Sequence, residues 1–331
     1  VQQFLIRAAK RARFAALRRF RRVRPRPRRL PPAQPLSSTY ALGLQGGGAL
    51  GAFTWGVLDR LLETPGFRLA AATGASAGAL NAVVMASGWL DGGTEGAKAA
   101  LREFWHRVGH LPSVLRPPLS SFWFDEGRGR AELPALAFEM ASSVFSPYDL
   151  NPLNHNPLRP IVAALVDFQR LRAADAPRLF ASATDVETGQ ARIFDNRDLS
   201  LDAVLASACL PHLFQAVEID GRPYWDGGFT ANPPTAPLGA FSGSARVMLI
   251  LVNPTRRAGV PRTARDIASR LNQISGNASL LRELATLGPC EVIEPPETSR
   301  DYAVASKYNN DWSFIQYLHA LGRREAERRL V

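Results

Sequence analysis

Cysteine is nearly missing from this chain of 331 residues, with Cys209 and Cys290 the only two. They lie far apart, giving neither a disulfide framework nor a metal-ligand spacing, and each reads most simply as a small core residue. Histidine is also scarce. His106, His110, His155, His212 and His319 form no H-E-x-x-H or similar cluster, so the sequence offers no metal site and requires no cofactor. No run approaches the roughly 18 uninterrupted apolar residues of a membrane span, and no apolar h-region marks a secretory signal. With 46% hydrophobic residues the chain can bury one sizeable core, and the expectation is a soluble, cytoplasmic protein.

Acidic residues are missing from the first 40 positions. Lys10 and eleven arginines before residue 30 give this stretch +12, while the remainder holds 28 basic and 29 acidic residues, so the formal charge of +11 belongs to a tail. Lysine is otherwise confined to Lys98 and Lys307, an arginine bias typical of GC-rich bacterial genomes. Within residues 1–37, Phe4, Leu5, Ala8, Ala9, Phe14, Ala16, Leu17 and Phe20 stand among arginines in a pattern that can form an amphipathic helix. Pro25-Arg26-Pro27 stops it, and Pro31-Pro32-Ala33-Gln34-Pro35 reads as a linker. Such a tail can lie on anionic lipid, grip nucleic acid, serve as an arginine-rich transit peptide or stay disordered.

The body carries two glycine-rich loops where an expected strand turns into a helix. Gly46-Gly47-Gly48-Ala49-Leu50-Gly51 follows Tyr40 to Leu44 and precedes the amphipathic run Ala52 to Glu63. Its N–H groups point outward beside a helix N-terminus, where negative charge is favoured. Gly74-Ala75-Ser76-Ala77-Gly78 follows Leu69 to Ala72 and precedes a helix over Ala77 to Ser87. Small residues around Ser76 permit the sharp turn that exposes a nucleophilic serine. Each match alone is weak, because G-x-S-x-G arises by chance in Ala/Gly-rich chains. Gly46-x-Gly48-x-x-Gly51 also fits a dinucleotide fingerprint, but the next strand ends in Thr73-Gly74-Ala75-Ser76 without the acidic residue that would hold a ribose. A third element is Tyr224-Trp225-Asp226-Gly227-Gly228, reached through a hairpin turn at Asp220-Gly221. Taken alone, Asp226 is an ordinary turn aspartate.

In this order, G-G-G-x-x-G, G-x-S-x-G and D-G-G resemble the patatin-like phospholipase family, which uses a Ser-Asp dyad without a catalytic histidine. Ala183-Thr184-Asp185-Val186-Glu187-Thr188-Gly189, Ala206-Ser207-Ala208-Cys209-Leu210-Pro211 and Asn232-Pro233-Pro234 resemble further family segments, so the likeness spans Tyr40 to Val252. The resemblance implies Ser76 as nucleophile, Asp226 as its base, and an oxyanion hole from Gly46, Gly47, Gly48 and Ala77. It implies a lipid ester, of a phospholipid or acylglycerol, as substrate. An ordinary aspartate is a weak base of pKa about 3.9, so the dyad also implies an Asp226 made more basic by desolvation. Plant members carry Lys or Arg just before the last glycine of the first loop, where this chain has Leu50. Two other readings compete. Ser76, Asp226 and His319 occur in the chain order of an α/β-hydrolase triad, although His319 falls in an amphipathic helix and Gln45 replaces the histidine of an H-G-G-G loop. Alternatively, the chain is a non-enzymatic basic protein whose serine loop is only a tight turn.

The implied fold is α/β, a three-layer α/β/α hydrolase over residues 38–331 with a largely parallel central sheet. Arg178 to Thr184 and Arg246 to Val252 add unbroken apolar strands of the kind buried on both faces. An aromatic, proline-rich helical insertion at about 89–169 holds Phe104, Trp105, Phe122, Trp123, Phe124, Phe138, Phe145 and Tyr148 as candidates for an acyl pocket or for plain core. A helix is expected from Asn156-Pro157 to about Phe168, and another over Asp311 to Leu330. With a lipid hydrolase behind it, the tail is assigned to peripheral membrane contact, at roughly 1 kcal/mol per basic residue near an anionic surface, with no specific nucleic acid expected. Deleting residues 1–34 should leave hydrolysis of a soluble short-chain ester intact and weaken binding to anionic vesicles. Binding of the full chain should itself weaken as salt shortens the Debye length from about 10 Å at 0.1 M to about 3 Å at 1 M. Co-sedimentation of both proteins at the two salt concentrations checks this, and equal binding by the truncated chain removes the tail's role.

Overall fold

The computed structural model describes residues 39–112, 144–296 and 304–330. The tail reading and four of the insertion's aromatic residues, Phe122, Trp123, Phe124 and Phe138, lie outside the described residues. Strand β1 (Thr39–Leu44) runs through the first glycine loop and a 3-10 turn at Gly48–Leu50 into α1 (Gly51–Leu61). Strand β2 (Arg68–Ala75) turns at Ser76 into α2 (Ala77–Gly109). Three short helices follow, α3 (Pro147–Leu150), α4 (Leu158–Leu165) and α5 (Phe168–Leu171). Then come β3 (Arg178–Asp185), β4 (Ala191–Asp195), α6 (Leu201–Ser207), and the hairpin of β5 (Val217–Ile219) and β6 (Arg222–Asp226). The chain continues through β7 (Arg246–Ile250), α7 (Ala264–Leu287), β8 (Glu291–Ile293) and α8 (Trp312–Leu330).

Hydrogen-bonded neighbours follow the path β5-β6-β3-β2-β1-β7-β8, with β4 also on β3. Pairing is parallel from β3 through β2, β1 and β7 to β8, and antiparallel among β3, β4, β6 and β5. The sheet is therefore mixed, its parallel part the one expected from the unbroken apolar strands. Alternation along those strands shows both faces covered. Tyr40, Leu42, Leu44, Met248 and Ile250 join one core with Phe53 of α1, Val83 of α2 and Ile315 of α8. Ala41, Val247 and Leu249 join a second with Leu280 and Leu287 of α7. These two cores on either side of one sheet make the three layers of an α/β/α fold.

Several sequence expectations need correcting. The helix expected to end near Ser87 continues to Gly109, because the chain bends at Gly92 and Gly93 instead of stopping, with Gly93 at φ +61°. Phe104 and Trp105 are buried core residues on its second half, whereas Phe145 and Tyr148 are exposed. The single helix expected after Asn156-Pro157 is two. Asp167 ends the first by accepting the Gln169 and Arg170 N–H groups, which starts α5. Cys209 is buried, as a core residue should be, but Cys290 is only partly so. No described helix is long and apolar enough to cross a membrane.

Helix α8 closes the first core by crossing α1 at a pair of glycines. A Cβ on Gly56 would stand 2.0 Å from the His319 carbonyl oxygen, and one on Gly322 would stand 2.1 Å from that of Phe53. Beside the crossing, Asp59 accepts from His319 Nε2 at 3.3 Å and from Arg323, and Arg323 also reaches Glu63. In an open helix Gly→Ala stabilises by up to about 1 kcal/mol. At this crossing the sign should reverse: Gly56→Ala should cost about 1–3 kcal/mol, because backbone cannot yield as a side chain does. Thermal or urea denaturation measures it, and a stability gain would mean that α8 does not pack there as described.

Candidate active site

Ser76 sits at φ +53° and ψ −127°, a conformation outside helix and strand, at the junction of β2 and α2. The turn is fixed from behind: Ser76 N–H donates to both the carbonyl and the hydroxyl oxygen of Ser207, each at 3.0 Å. Ser76 makes no capping bond with its own side chain, which leaves Oγ at the N-terminal end of a long helix, where negative charge is favoured. Such strain in a non-glycine residue persists only where the surroundings over-determine it.

The position of Asp226 follows from strand register. Ser182 of β3 pairs with Ala75, the residue before Ser76, and the next β3 residue, Ala183, pairs with Asp226. Strand β4 takes the other edge of β3 over Phe180 to Thr184, so β2 and β6 share one edge, β6 beginning where β2 leaves it. The Ser76 turn and the Asp226 carboxylate are thereby set beside neighbouring residues of β3. A Cβ on Gly227 would stand 2.1 Å from the Ser182 carbonyl oxygen, so the residue after Asp226 must be glycine for this approach. Asp226 N–H donates to the Cys209 carbonyl at 2.8 Å, and its carbonyl accepts from the Thr184 hydroxyl at 2.8 Å.

The Asp226 carboxylate is 3% exposed. Oδ1 accepts from Gly228 N–H at 2.7 Å, but buried Oδ2 completes no hydrogen bond among the described residues. Burial pushes its pKa up to about 6, with the neighbouring Ser76 hydroxyl, the Gly228 N–H and the Lys307 charge offsetting part of that rise. The Ser76 influence is one of proximity, since no bond to Oδ2 is closed. Burial and the Asp226 charge in turn push the Cys209 thiol up to about 12, so it stays neutral.

The first loop lies against the serine turn. A Cβ on Gly46 would stand 2.5 Å from the Ala75 carbonyl oxygen and 2.7 Å from Ser76 Cβ. Gly46 N–H is already engaged with Asn232 Oδ1 at 2.7 Å, so of the sequence-assigned oxyanion donors Gly46 is a spacer held by Asn232. The N–H groups of Gly47, Gly48 and Ala77 donate to no protein acceptor among the described residues. Gln45 anchors the loop from beneath, accepting from Val252 and Asn253 N–H at 2.9 Å each and donating to Asn277 of α7 at 2.8 Å.

The structure thus brings Ser76, Asp226, Gly46, Gly47, Gly48 and Ala77 together. It places His319 instead in the α1–α8 contact, bonded to Asp59 and tilted against Trp55 at 3.9 Å between ring centroids. Asn232 and Ser207 were visible in the sequence only as parts of longer motifs, with nothing to show what they hold. Lys307, whose carbonyl oxygen lies 2.3 Å from a Cβ built on Gly48, had no sequence signal at all.

No curated protein matches this chain significantly. Among solved structures, VipD from Legionella pneumophila is 16% identical at a TM-score of 0.40, over 85% of this chain and 67% of that one. ExoU, in its complex with SpcU from the type III secretion system of Pseudomonas aeruginosa, is 18% identical at a TM-score of 0.37, over 89% of this chain. The chain spans only 52% of the length of that protein. The sequence model of the family described as patatin-like phospholipase matches residues 42–238. That match takes in both glycine loops, Ser76, Asp226 and Asn232, and more than half of the chain, which therefore belongs to the patatin-like phospholipase family.

Proposed function

We propose that this protein hydrolyses carboxylic esters of phospholipids or acylglycerols through a Ser76–Asp226 dyad and an acyl-enzyme. The observation that carries the reading is the buried Oδ2 of Asp226, unpaired among the described residues, set beside a serine on a tight, buried turn by the shared edge of β3. Oγ attacks the ester carbonyl carbon as its proton passes to Asp226, and the carbonyl electron pair moves onto oxygen. The oxyanion is held by the free N–H groups of Gly47, Gly48 and Ala77, with two helix N-termini adding favourable field. Collapse expels the alkoxide, which takes the proton from Asp226. Water, giving a proton to Asp226, then attacks the acyl carbon, and release of the carboxylic acid returns that proton to Ser76 Oγ. Family membership supports lipid as the substrate class. The reading extends to a cytoplasmic enzyme that meets anionic membrane through its basic tail, supported by sequence charge alone.

Ser76→Ala and Asp226→Asn should each lower kcat by on the order of 10³-fold or more, the scale of losing one member of a nucleophile–base unit. His319→Ala should retain most activity. Assays on short-chain and phospholipid esters decide it, and loss of activity in folded His319→Ala protein would sink the dyad in favour of a triad.

Asp226→Asn has a second, opposite consequence. A carboxyl whose folded pKa is raised from 3.8 to about 6 favours folding fully below the unfolded value and loses that contribution as pH rises through the folded one. At pH 8 the wild type therefore carries a penalty on the order of 3 kcal/mol that asparagine removes. Asp226→Asn should be more stable than wild type at pH 8, with the gain vanishing by about pH 4. Equal denaturation midpoints at pH 8 would mean that Asp226 is not the perturbed carboxyl.

A further inference from the structure

We propose that Lys307, carried onto the first glycine loop by the 3-10 helix Val304–Tyr308, is the positioning residue that supplies the active site's positive charge. This rests on the Ser76–Asp226 reading and adds a residue that none of the sequence motifs contains.

Three observations converge. The Lys307 backbone lies directly on the loop, because its carbonyl oxygen would be 2.3 Å from a Cβ on Gly48, a residue at φ +59°. The loop has no cation of its own, Leu50 being buried at its end. The Lys307 ammonium, moreover, has no carboxylate within ion-pair distance among the described residues, and its tether is a neutral acceptor, Asn272 Oδ1 of α7, at 3.1 Å. A partly buried ammonium without a counter-ion is costly. Burial lowers the Lys307 pKa, and the one carboxylate that opposes this is Asp226. The influence is mutual, since the Lys307 charge also lowers that of Asp226.

Among the described residues, the groups that act on Asp226 are few. Ser76 comes from the β2–α2 turn, Cys209 from the end of α6 and Lys307 from the 3-10 helix. Cys209 is neutral across the working range. Along β3 and β6 the nearest charges, Asp185 and Arg222, neutralise one another at 3.0 Å. Lys307 is therefore the cation that can keep Asp226 ionised, and so basic, to lower pH. The same charge would favour an oxyanion held by the loop against which the Lys307 backbone packs.

The test is the acid limb of the kcat/KM–pH profile on a soluble short-chain ester for wild type, Lys307→Met and Lys307→Arg. All three keep the backbone carbonyl on Gly48, so the side chain alone is varied. Wild type should lose activity as pH falls through about 6. Lys307→Met should move this midpoint upward by about half a unit to one unit. Below both limbs that is a loss of about 3- to 10-fold beyond any loss seen at pH 8. Lys307→Arg should restore the wild-type midpoint. An unmoved midpoint, with activity lowered evenly at every pH or not at all, would overturn the proposal and leave Lys307 a packing residue. Should Lys307→Met fail to fold, by circular dichroism, Lys307→Gln takes its place against the same criterion. Failure of the dyad itself reads out separately, as undiminished activity in Ser76→Ala.

Discussion

One edge of one strand organises this molecule. Strand β3 pairs with β2 up to Ser182 and with β6 from Ala183 onward, and the change of partner falls at the bond between these residues. Side chains of the same strand fasten what lies beyond: Ser182 Oγ donates to the Ala231 carbonyl at 2.8 Å, and Thr184 Oγ1 to that of Asp226 at 2.8 Å. Because side chains alternate along a strand, a slip of β6 by one residue would turn the Asp226 carboxylate to the opposite face. Distance and orientation between two residues 150 positions apart are thus reduced to a local question of register.

Around that edge the site is built at an energetic loss. A carboxylate oxygen is buried without a partner, a serine is held off the favoured backbone regions, and backbone N–H groups at the starts of α1 and α2 are left without acceptors. In the proposed mechanism a reacting ester supplies the partners these groups lack among the described residues. Specific bonds hold the supports in place, by contrast: Asn232 holds Gly46, Ser207 holds Ser76, and Gln45 spans β1, the exit of β7 and α7. Rigidity in the support is what lets the reactive groups remain unsatisfied.

Much of this was legible in the chain, and the exceptions have physical causes. The apolar strands, the hairpin at Asp220-Gly221 and the two glycine loops announce themselves through local chemistry, and the structure has them where they were expected. Helix α7 did not, because its apolar residues are split between two faces. Ile267, Leu271, Ile274 and Leu281 are exposed while Ser269, Gln273 and Asn277 are buried with Leu280 and Leu287, so apolar periodicity does not mark the core face. The buried polar side chains serve the glycine loop, as Asn277 does through Gln45, a demand that no periodicity encodes. The bend at Gly92-Gly93 was hidden because glycine there signals an ending as readily as a kink. Lys307 was unreadable because its role depends on a contact with Gly48, more than 250 residues earlier in the chain.

The glycine crossing of α1 and α8 also sets a timetable. Asp59 and His319 meet across 260 residues, so the apolar face of α1 is synthesised early and covered last. At about 5–20 residues per second on the ribosome, the face bearing Phe53 and Val57 waits on the order of 13–50 s for the helix that shields it. Strands β1, β2, β3 and β7 can all pair, and α1 and α2 can cover one face of them, before that helix exists, which leaves the side of α1 that meets α8 open to water. Until α8 arrives, that face of α1 is apolar surface without the helix that covers it.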